Sequence, residues 1–343
     1  MRLQSAGVEC DDRSMNAVRL GSWLSSLSCM AVLACSSDGS ERNGSAGTTS
    51  GGGGTPSSQT TPGGGAQATA VGGSLPTTVG SQGGGAGTVG GEQAGASGAI
   101  VAVCSGAKPG PDNTGVRSGT VLTPSGSIKV EKRGAVIENL DITGEVTILA
   151  DDVTLRNVRI RSGDYYPIRY FDNDNTGLLV EDSEIEGTSD DVTAGLSFAN
   201  YTARRLNVHG SADGFKADEN VLIEDCWIHD LRNGPGQHND GVQSTGGKGV
   251  TIRHNSISGA SNACVQTGDE GAATEDLTVE CNWLSGGGYS LNIRGTGATR
   301  PKNTKILDNR FARDAAYGPW TVHDPSPEVV GNTYLDGTPI PYE

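Results

Sequence analysis

Residues 249–259, GVTIRHNSISG, recur in altered form as DLTVECNWLSG at residues 276–286 and as NTKILDNRFAR at residues 303–313. Each copy has one apolar residue near its middle and a second apolar residue five positions later, with a polar segment between them. The pattern extends in both directions, and its apolar pairs are Ile137/Ile142, Leu155/Ile160, Val180/Ile185, Ala203/Val208, Ile223/Ile228, Ile252/Ile257, Val279/Leu284, Ile306/Phe311 and Val329/Tyr334. These nine pairs are spaced by 18 to 29 residues, so this part of the chain is a tandem repeat.

Each repeat predicts two short strands joined by a tight polar turn, followed after a variable loop by a third strand. The third strands centre on Ile168, Leu196, Phe215, Val242, Val265 and Leu291. The central residue of each should point inward and the next residue outward. One repeat cannot bury its apolar side alone, so neighbouring repeats must stack. The sequence therefore predicts a single-stranded, right-handed parallel β-helix of about nine coils with three strands per coil, over residues 101–343. A β-propeller is the alternative, but its blades need about 40 residues each.

The turn between the first two strands carries a recurring polar residue. In the later repeats it is Asn, three positions after the first apolar residue, at Asn255, Asn282, Asn309 and Asn332. Stacked Asn side chains can hydrogen-bond along the coils and to the turn backbone. In earlier repeats the polar residue comes one position sooner, at Asn139, Asn157, Asp182 and Asp225. This shift predicts that the turn changes type midway along the β-helix.

The N-terminal part resembles an export signal followed by a linker. Residues 23–34 are a short apolar run that ends at Ala34-Cys35, as in bacterial lipoprotein signals, where the Cys is lipidated and becomes the mature N-terminus. Residues 1–35 are therefore expected to be a signal peptide ending in the lipobox Cys35, with ordinary cleavage as the alternative. Residues 36–100 contain 21 Gly and mostly Ser, Thr, Ala and Pro otherwise, which predicts a disordered linker.

Charge and cysteine content limit the environment and the partners. The formal net charge of −15 argues against nucleic acid as a partner and against membrane contact other than through a lipid at Cys35. We expect a monomer that is exported and stays at the outer membrane or cell surface. After Cys35 four cysteines remain, Cys104, Cys226, Cys264 and Cys281, which allow two disulfides in three pairings or four free thiols.

The outward side of the third strand carries the polar residues suited to a polymer ligand. The predicted column runs Arg169, Ser197, Lys216, Gln243, Gln266 and Asn292, with Arg294 two residues further along its strand. Two Asp-Gly steps, at Asp213 and Asp240, enter this strand in successive coils. Strands of adjacent coils lie about 4.8 Å apart, so these carboxylates should be neighbours that can share a proton or bind Ca²⁺.

These two turns resemble those of the pectate lyase superfamily. Residues 211–215 (SADGF) and 238–241 (HNDG) are similar to the Asp-Gly turns of family nine pectate lyases, in which Asp residues hold Ca²⁺ and a Lys is the base. The resemblance implies calcium at Asp213 and Asp240. The second turn departs from the family pattern because it has Asn239 where a paired Asp is expected, and the family's Lys lies on a later coil than Lys216.

The chemistry of β-elimination leads separately to the same class of enzyme. Removing the proton α to a uronate carboxylate needs a base and positive charge beside the carboxylate. Lys216 is the expected base, with Arg169 and Arg294 as the cations. The expected substrate contacts are Gln243, His238, Tyr166 and Asn292. The sequence thus favours a lyase acting on an acidic polysaccharide over a hydrolase or epimerase, and the alternative is a non-catalytic glycan-binding or surface-structural β-helix protein.

Overall fold

The computed structural model describes residues 104–170, 175–234, 238–268 and 271–343. The predicted signal peptide with Cys35 and the predicted linker at residues 36–100 lie outside the described residues. The only helical element in the described part is one 3₁₀ turn, Gly297–Thr299. No helix among these residues is long and apolar enough to cross a membrane.

The described residues form three long parallel sheets, with one strand of each coil in each sheet. Sheet 1 consists of β1 (Thr123–Ser125), β4 (Leu140–Thr143), β7 (Arg159–Ser162), β10 (Glu184–Gly187), β13 (Asn207–His209), β16 (Trp227–His229), β20 (Ser256–Ala260), β24 (Trp283–Gly286), β27 (Arg310–Phe311) and β30 (Thr333–Tyr334). Sheet 2 consists of β2 (Ile128–Val130), β5 (Val146–Ile148), β8 (Ile168–Arg169), β11 (Ala194–Leu196), β14 (Asp213–Lys216), β17 (Asp240–Ser244), β21 (Ala263–Thr267), β25 (Tyr289–Ile293) and β28 (Gly318–Val322). Sheet 3 consists of β3 (Val136–Glu138), β6 (Thr154–Arg156), β9 (Leu178–Glu181), β12 (Tyr201–Arg204), β15 (Val221–Glu224), β19 (Val250–Arg253), β23 (Thr278–Glu280), β26 (Lys305–Leu307) and β29 (Glu328–Val330). A short pair, β18 (Gly247–Lys248) and β22 (Thr274–Glu275), extends one loop.

The register of these sheets follows the predicted repeat. In sheet 3, Ile223 pairs with Ile252 and Ile252 with Val279, and the other first apolar positions stack in the same way. In sheet 1, Ile228 likewise pairs with Ile257. Most of these residues are fully buried and form one continuous core along the axis. The parallel β-helix of about nine coils is therefore confirmed.

The Asn ladder in the later coils satisfies the buried backbone of one turn column. Asn309 Nδ2 donates to the Val279 carbonyl at 2.8 Å and to Asn332 Oδ1 at 3.0 Å, while its own Oδ1 accepts from the backbone and side-chain N–H groups of Asn282. Asn255 and Asn282 repeat this pattern. A buried amide with all these partners ties each coil to the next.

The expected change of turn type is wrong. The position two residues after the first apolar residue is left-handed in every coil, with φ between 48° and 60° at Asn139, Asn157, Asp182, Arg205, Asp225, His254, Cys281 and Asp308. Asn and Asp tolerate this conformation best, which explains the early coils. The next residue changes along the column from apolar residues such as Val158 and Leu206 in early coils to the Asn of the ladder in later ones. The polar residue thus changes position while the turn keeps its backbone geometry.

An N-terminal segment, the strap (residues 104–118), crosses several coils before β1. Cys104 forms a disulfide with Cys281, on the seventh coil. The Gly115 N–H then donates to the Arg205 carbonyl at 2.9 Å, and the Arg117 N–H donates to Asn157 Oδ1 at 3.0 Å. The strap therefore runs backwards along the turns from late coils to early ones.

The two-disulfide prediction is half wrong. Cys226 and Cys264 are free and fully buried, and burial raises the pKa of both thiols to about 12. Cys226 stands in the column that continues as the Asn ladder, where its Sγ accepts from the Leu206 N–H, and Cys264 is a core residue of sheet 2. Cys226 fills the core beneath a turn and Cys264 fills it within sheet 2, so the two sulfurs serve as packing groups.

Candidate functional site

Most of the predicted site residues lie on the outward face of sheet 2. Lys216 pairs in register with Gln243, Gln243 with Gln266, Gln266 with Asn292, and Asn292 with Thr321. The alternate residues of the same strands point into the core, and Phe215 and Leu291 among them are fully buried. The strand period thus fixes one polar column over five coils.

Two cavities adjoin along this face and form one groove. The first is about 240 Å³ and is lined by His238, Gln243, Ser244, Thr245, Asn262, Gln266, Gly268 and Arg294. The second is about 390 Å³ and is lined by Asn262, Gly288, Tyr289, Asn292, Arg294, Tyr317, Thr321 and His323. Asn262 and Arg294 line both cavities, so the groove runs along the helix axis over several coils.

Lys216 lies beside the groove in an ion pair. Its ammonium is 2.8 Å from Asp213 Oδ2 and also donates to Gln243 Oε1. The side chains of Lys216 and Asp213 are only 14% and 6% exposed. Asp213 Oδ1 accepts the backbone N–H of Asp240 at 2.9 Å. An ammonium that donates to a carboxylate and an amide has no lone pair to accept a proton, so this arrangement does not suit the predicted base.

Asp240 is fully buried behind His238. Asn262 Nδ2 donates to its Oδ1 at 2.8 Å, and His238 Nε2 lies 3.6 Å from its Oδ2. Burial, together with the nearby charge of Asp213, raises the pKa of Asp240 to about 7. His238 itself is exposed, and its Nε2 is 3.2 Å from Gln243 Nε2. Because Gln243 Oε1 faces Lys216, its amide nitrogen faces His238, which makes His238 Nε2 the acceptor.

The second cavity contains a buried acceptor with incomplete hydrogen bonding. Asn292 Nδ2 donates to Gln266 Oε1 at 2.6 Å. Its Oδ1 is buried and accepts no hydrogen bond from the described residues. Leaving such an oxygen unpaired costs about 1–3 kcal/mol. A hydroxyl or N–H donor from a ligand in the groove would remove that cost.

Arg294 stands where the two cavities meet. Its backbone N–H donates to Thr267 Oγ1 at 2.9 Å, and Thr267 Oγ1 donates to the Arg294 carbonyl, which holds the strand end in place. The guanidinium is exposed and forms no ion pair within the described residues. Tyr289 and Tyr317, which line the second cavity with Arg294, have ring centroids 5.5 Å apart, and Tyr317 is well exposed.

Arg169 and Tyr166 lie towards the N-terminal end of the same face. Arg169 pairs in register with Thr147 and is exposed, two coils before Lys216. Tyr166 contacts Tyr165 and Phe198 edge-on, and burial raises the pKa of its hydroxyl to about 12. Neither residue lines the two cavities formed by the described residues. The groove therefore brings Gln243, His238, Asn292 and Arg294 together and leaves Arg169 and Tyr166 outside.

A family model described as "Right handed beta helix region" matches residues 115–284 and 150–334. These matches together cover more than half of the chain. The chain belongs to the right-handed β-helix family. No curated protein matches it, and no solved structure matches it.

The sequence-based prediction missed several groove residues of this β-helix protein, among them Asn262, Tyr289, Tyr317 and His323. Tyr289 begins β25, two positions before the predicted central residue Leu291, and Asn262 directly precedes β21. Tyr317 and His323 flank β28, whose sequence GPWTV has no Asp-Gly step or other signal of the repeat. The outward column predicted Gln266 and Asn292, and one further coil of the same register would have pointed to β28.

The residues near Asp213 and Asp240 do not fit the calcium ion that the pectate lyase resemblance implies. Calcium takes six to eight oxygen ligands. Here a Lys ammonium and a backbone N–H already occupy the oxygens of Asp213, and an Asn amide donates to Asp240. No group of three or more His, Cys, Asp or Glu side chains in the described residues is arranged to hold a metal. Calcium at this position stays a prediction from the sequence.

Larger cavities of this β-helix protein lie on other faces. One of about 600 Å³ lies along sheet 3 near Tyr201, and one of about 500 Å³ lies between the strap and Trp227 of sheet 1. Their linings contain no buried side-chain atom without a hydrogen-bond partner among the described residues. Size alone would favour these two, but the unpaired Asn292 oxygen and the Arg294 guanidinium favour the groove on sheet 2.

Proposed function

We propose that this β-helix protein binds an acidic polysaccharide along the sheet 2 groove and cleaves it by β-elimination. One observation carries the proposal. The chain has 40 Asp and Glu residues and a net charge of −15, yet among the described residues neither cavity is lined by an Asp or a Glu. The groove instead presents one guanidinium, two imidazoles, amides and hydroxyls. Such a surface suits a ligand that has both carboxylates and hydroxyls.

The shape and chemistry of the groove support a sugar polymer. Aromatic rings such as Tyr289 and Tyr317 provide apolar faces with a polar edge, on which a pyranose ring can stack. Arg294 can form two parallel hydrogen bonds with a carboxylate, which a uronate supplies. Asn292 Oδ1 needs a donor, and every sugar residue has hydroxyl groups to offer. A groove along the axis allows several consecutive residues of one chain to bind.

The lyase reaction is supported by the place of Arg294 between the two cavities. A uronate carboxylate on Arg294 would develop enolate character when the neighbouring proton is removed. A positive charge fixed beside the developing anion lowers the barrier to that step. The Lys216–Asp213 pair acts in this proposal as the support of Gln243 and thereby of His238.

Export with lipidation at Cys35 belongs to the same proposal. A polysaccharide too large to enter the cell must be met outside it, and a lipid on Cys35 would keep the domain at the outer membrane or cell surface. The protein then acts as a monomer on a polysaccharide, with no nucleic-acid partner and no membrane contact except the lipid.

A non-catalytic glycan-binding protein is the second candidate. The Lys216 ion pair favours it, because the residue that the sequence predicts as the base is occupied by Asp213 and Gln243. A binding protein needs the aromatic and amide surface of the groove but no group that accepts a proton.

Incubation of the purified full chain with polygalacturonate, alginate and hyaluronate tests the proposal. A lyase produces an unsaturated uronate, whose ultraviolet absorbance rises with time, and neutral glucans serve as the control. Binding of an acidic polymer without any absorbance change would support the second candidate. Binding of neutral glucans in preference to all three acidic polymers would contradict both the charge argument and the lyase.

A further inference from the structure

We infer that His323 is the base that removes the uronate α-proton in this groove, an inference that rests on the proposed lyase function. His323 follows β28 directly and lines the second cavity together with Arg294, Asn292 and the Tyr289–Tyr317 pair. It lies four coils beyond Lys216 in the order β14, β17, β21, β25 and β28.

Two hydrogen bonds fix the position and the tautomer of His323. Its backbone N–H donates to the Ile293 carbonyl at 2.8 Å, which continues the ladder past the end of β28. Its ring Nδ1 is 3.2 Å from the Gly295 carbonyl oxygen. A carbonyl only accepts, so Nδ1 carries the hydrogen and Nε2 of the neutral ring keeps its lone pair. A neutral imidazole held in this way is a proton acceptor.

The other candidate bases of the groove are occupied or inaccessible. The ammonium of Lys216 donates to Asp213 and Gln243. His238 Nε2 accepts from the Gln243 amide. Asp240 is 0% exposed and cannot reach a substrate. Among the described groove residues, His323 combines an exposed ring with a ring nitrogen that accepts no hydrogen bond from the protein.

The reaction balances with the residues at hand. His323 Nε2 takes the proton from the carbon next to the uronate carboxylate, whose charge Arg294 stabilises. The electron pair of the broken C–H bond forms a carbon–carbon double bond, and the bond from the neighbouring carbon to the glycosidic oxygen breaks. The imidazolium returns its proton to the departing oxygen, so His323 is regenerated and no oxidant or other reactant is needed.

His323→Gln tests this role, because the amide is polar and similar in size to the imidazole but its nitrogen has no free lone pair to accept the proton. We expect turnover of the polymer cleaved by the wild type to fall by about 10²- to 10⁴-fold. The Kd for the polymer should change by less than about threefold, since the loss lies in the chemical step. His209→Gln, on sheet 1 and outside the groove, is the matched control and should keep wild-type turnover.

His323→Ala gives a second readout that a purely structural role would not move. Added imidazole should restore part of its turnover, and the restored rate should rise with imidazole concentration. Cleavage by His323→Gln at more than about a third of the wild-type rate would overturn the assignment of His323 and leave the lyase proposal standing. If the wild type binds acidic polymers and cleaves none, the lyase proposal and the His323 assignment fail together.

Discussion

The outward faces of sheet 3 and sheet 2 differ in how their charged side chains are paired. On sheet 3, Glu224 lies between Arg204 and Arg253 of the coils on either side and forms ion pairs with both. Glu138 and Arg156 form another such pair at 2.6 Å. On sheet 2 the column beyond Lys216 changes to the amides Gln243, Gln266 and Asn292 and then to Thr321, and Arg294 lies beside it.

The difference shows which face is complete without a ligand. Opposite charges on adjacent coils of sheet 3 satisfy one another, so that face gains little by binding anything else. The sheet 2 groove has a guanidinium without an ion pair and a buried oxygen without a donor, as far as the described residues extend. Unsatisfied groups that converge on one groove indicate a surface built for a partner.

The strongest test of this comparison removes one Arg from each face. Arg294→Ala should weaken binding of the acidic polymer by about 10²- to 10³-fold, because a charge-assisted contact with a carboxylate is lost. Arg253→Ala, on sheet 3, should leave binding unchanged. Titration calorimetry of both variants measures the effect. An equal loss in the two variants would mean that overall charge, and not the groove, attracts the polymer.

The pH dependence of stability should have opposite signs for Asp240, behind the groove, and Glu184, on sheet 1. The raised pKa of Asp240, about 7 against 3.8, gives stability that is full below about pH 4 and is lost as the pH rises through 7. The hydrogen bond from His209, joined by that from Arg159, lowers the pKa of Glu184 from 4.5 to about 2. The stability that Glu184 contributes to the fold is full above about pH 4.5 and is lost as the pH falls through 2.

The contribution of each carboxyl to the free energy of unfolding should be on the order of 1–4 kcal/mol. Urea unfolding of the wild type, Asp240→Asn and Glu184→Gln at several pH values between 2 and 8 measures both. Asp240→Asn should flatten the curve between pH 4 and 7 only, and Glu184→Gln between pH 2 and 4.5 only. A wild-type slope that Asp240→Asn leaves unchanged would mean that Asp240 is ionised in the folded protein at pH 5.

Lys216→Ala should give the smallest of these changes, a loss of about 1–3 kcal/mol in stability, because the mostly buried Asp213 carboxylate loses its ion pair. The double variant Lys216→Ala with Asp213→Asn should regain part of that loss, since no unpaired charge remains. Thermal unfolding measures both variants. An unchanged Tm together with lost cleavage in Lys216→Ala would mean that Lys216, as the sequence predicts, is the catalytic base.

The fold was predictable because every coil uses the same positions. The pairs Ile252/Ile257 and Val279/Leu284 repeat the burial pattern, and the register of the sheets follows from them. The third strands of the first and last coils were missed. The loops that precede the third strands vary in length from coil to coil. In addition, β28 has a sequence unlike that of β14 or β17.

Of the candidate site, only the outward column of sheet 2 was predictable from the sequence. The strand period places Gln243, Gln266 and Asn292 on the outside, and it does so for Lys216 as well. Whether Lys216 is available depends on the side chain of Asp213, three residues away, and of Gln243, one coil away. The tautomer of His323 depends on the Gly295 carbonyl, which the sequence does not locate. Partners across coils, and not residue type, decide which groups remain available.

The Cys104–Cys281 disulfide also decides how the domain bears a mechanical load. The two cysteines are 177 residues apart in sequence, and the coils before Cys281 lie inside the loop that their bond closes. A pull on the chain ahead of Cys104 passes through the disulfide into the seventh coil, and β1 is not peeled away from β4. The coils before the seventh then carry none of the tension, and the strands that bear it, from β24 onward, include β25 and β28 of the groove.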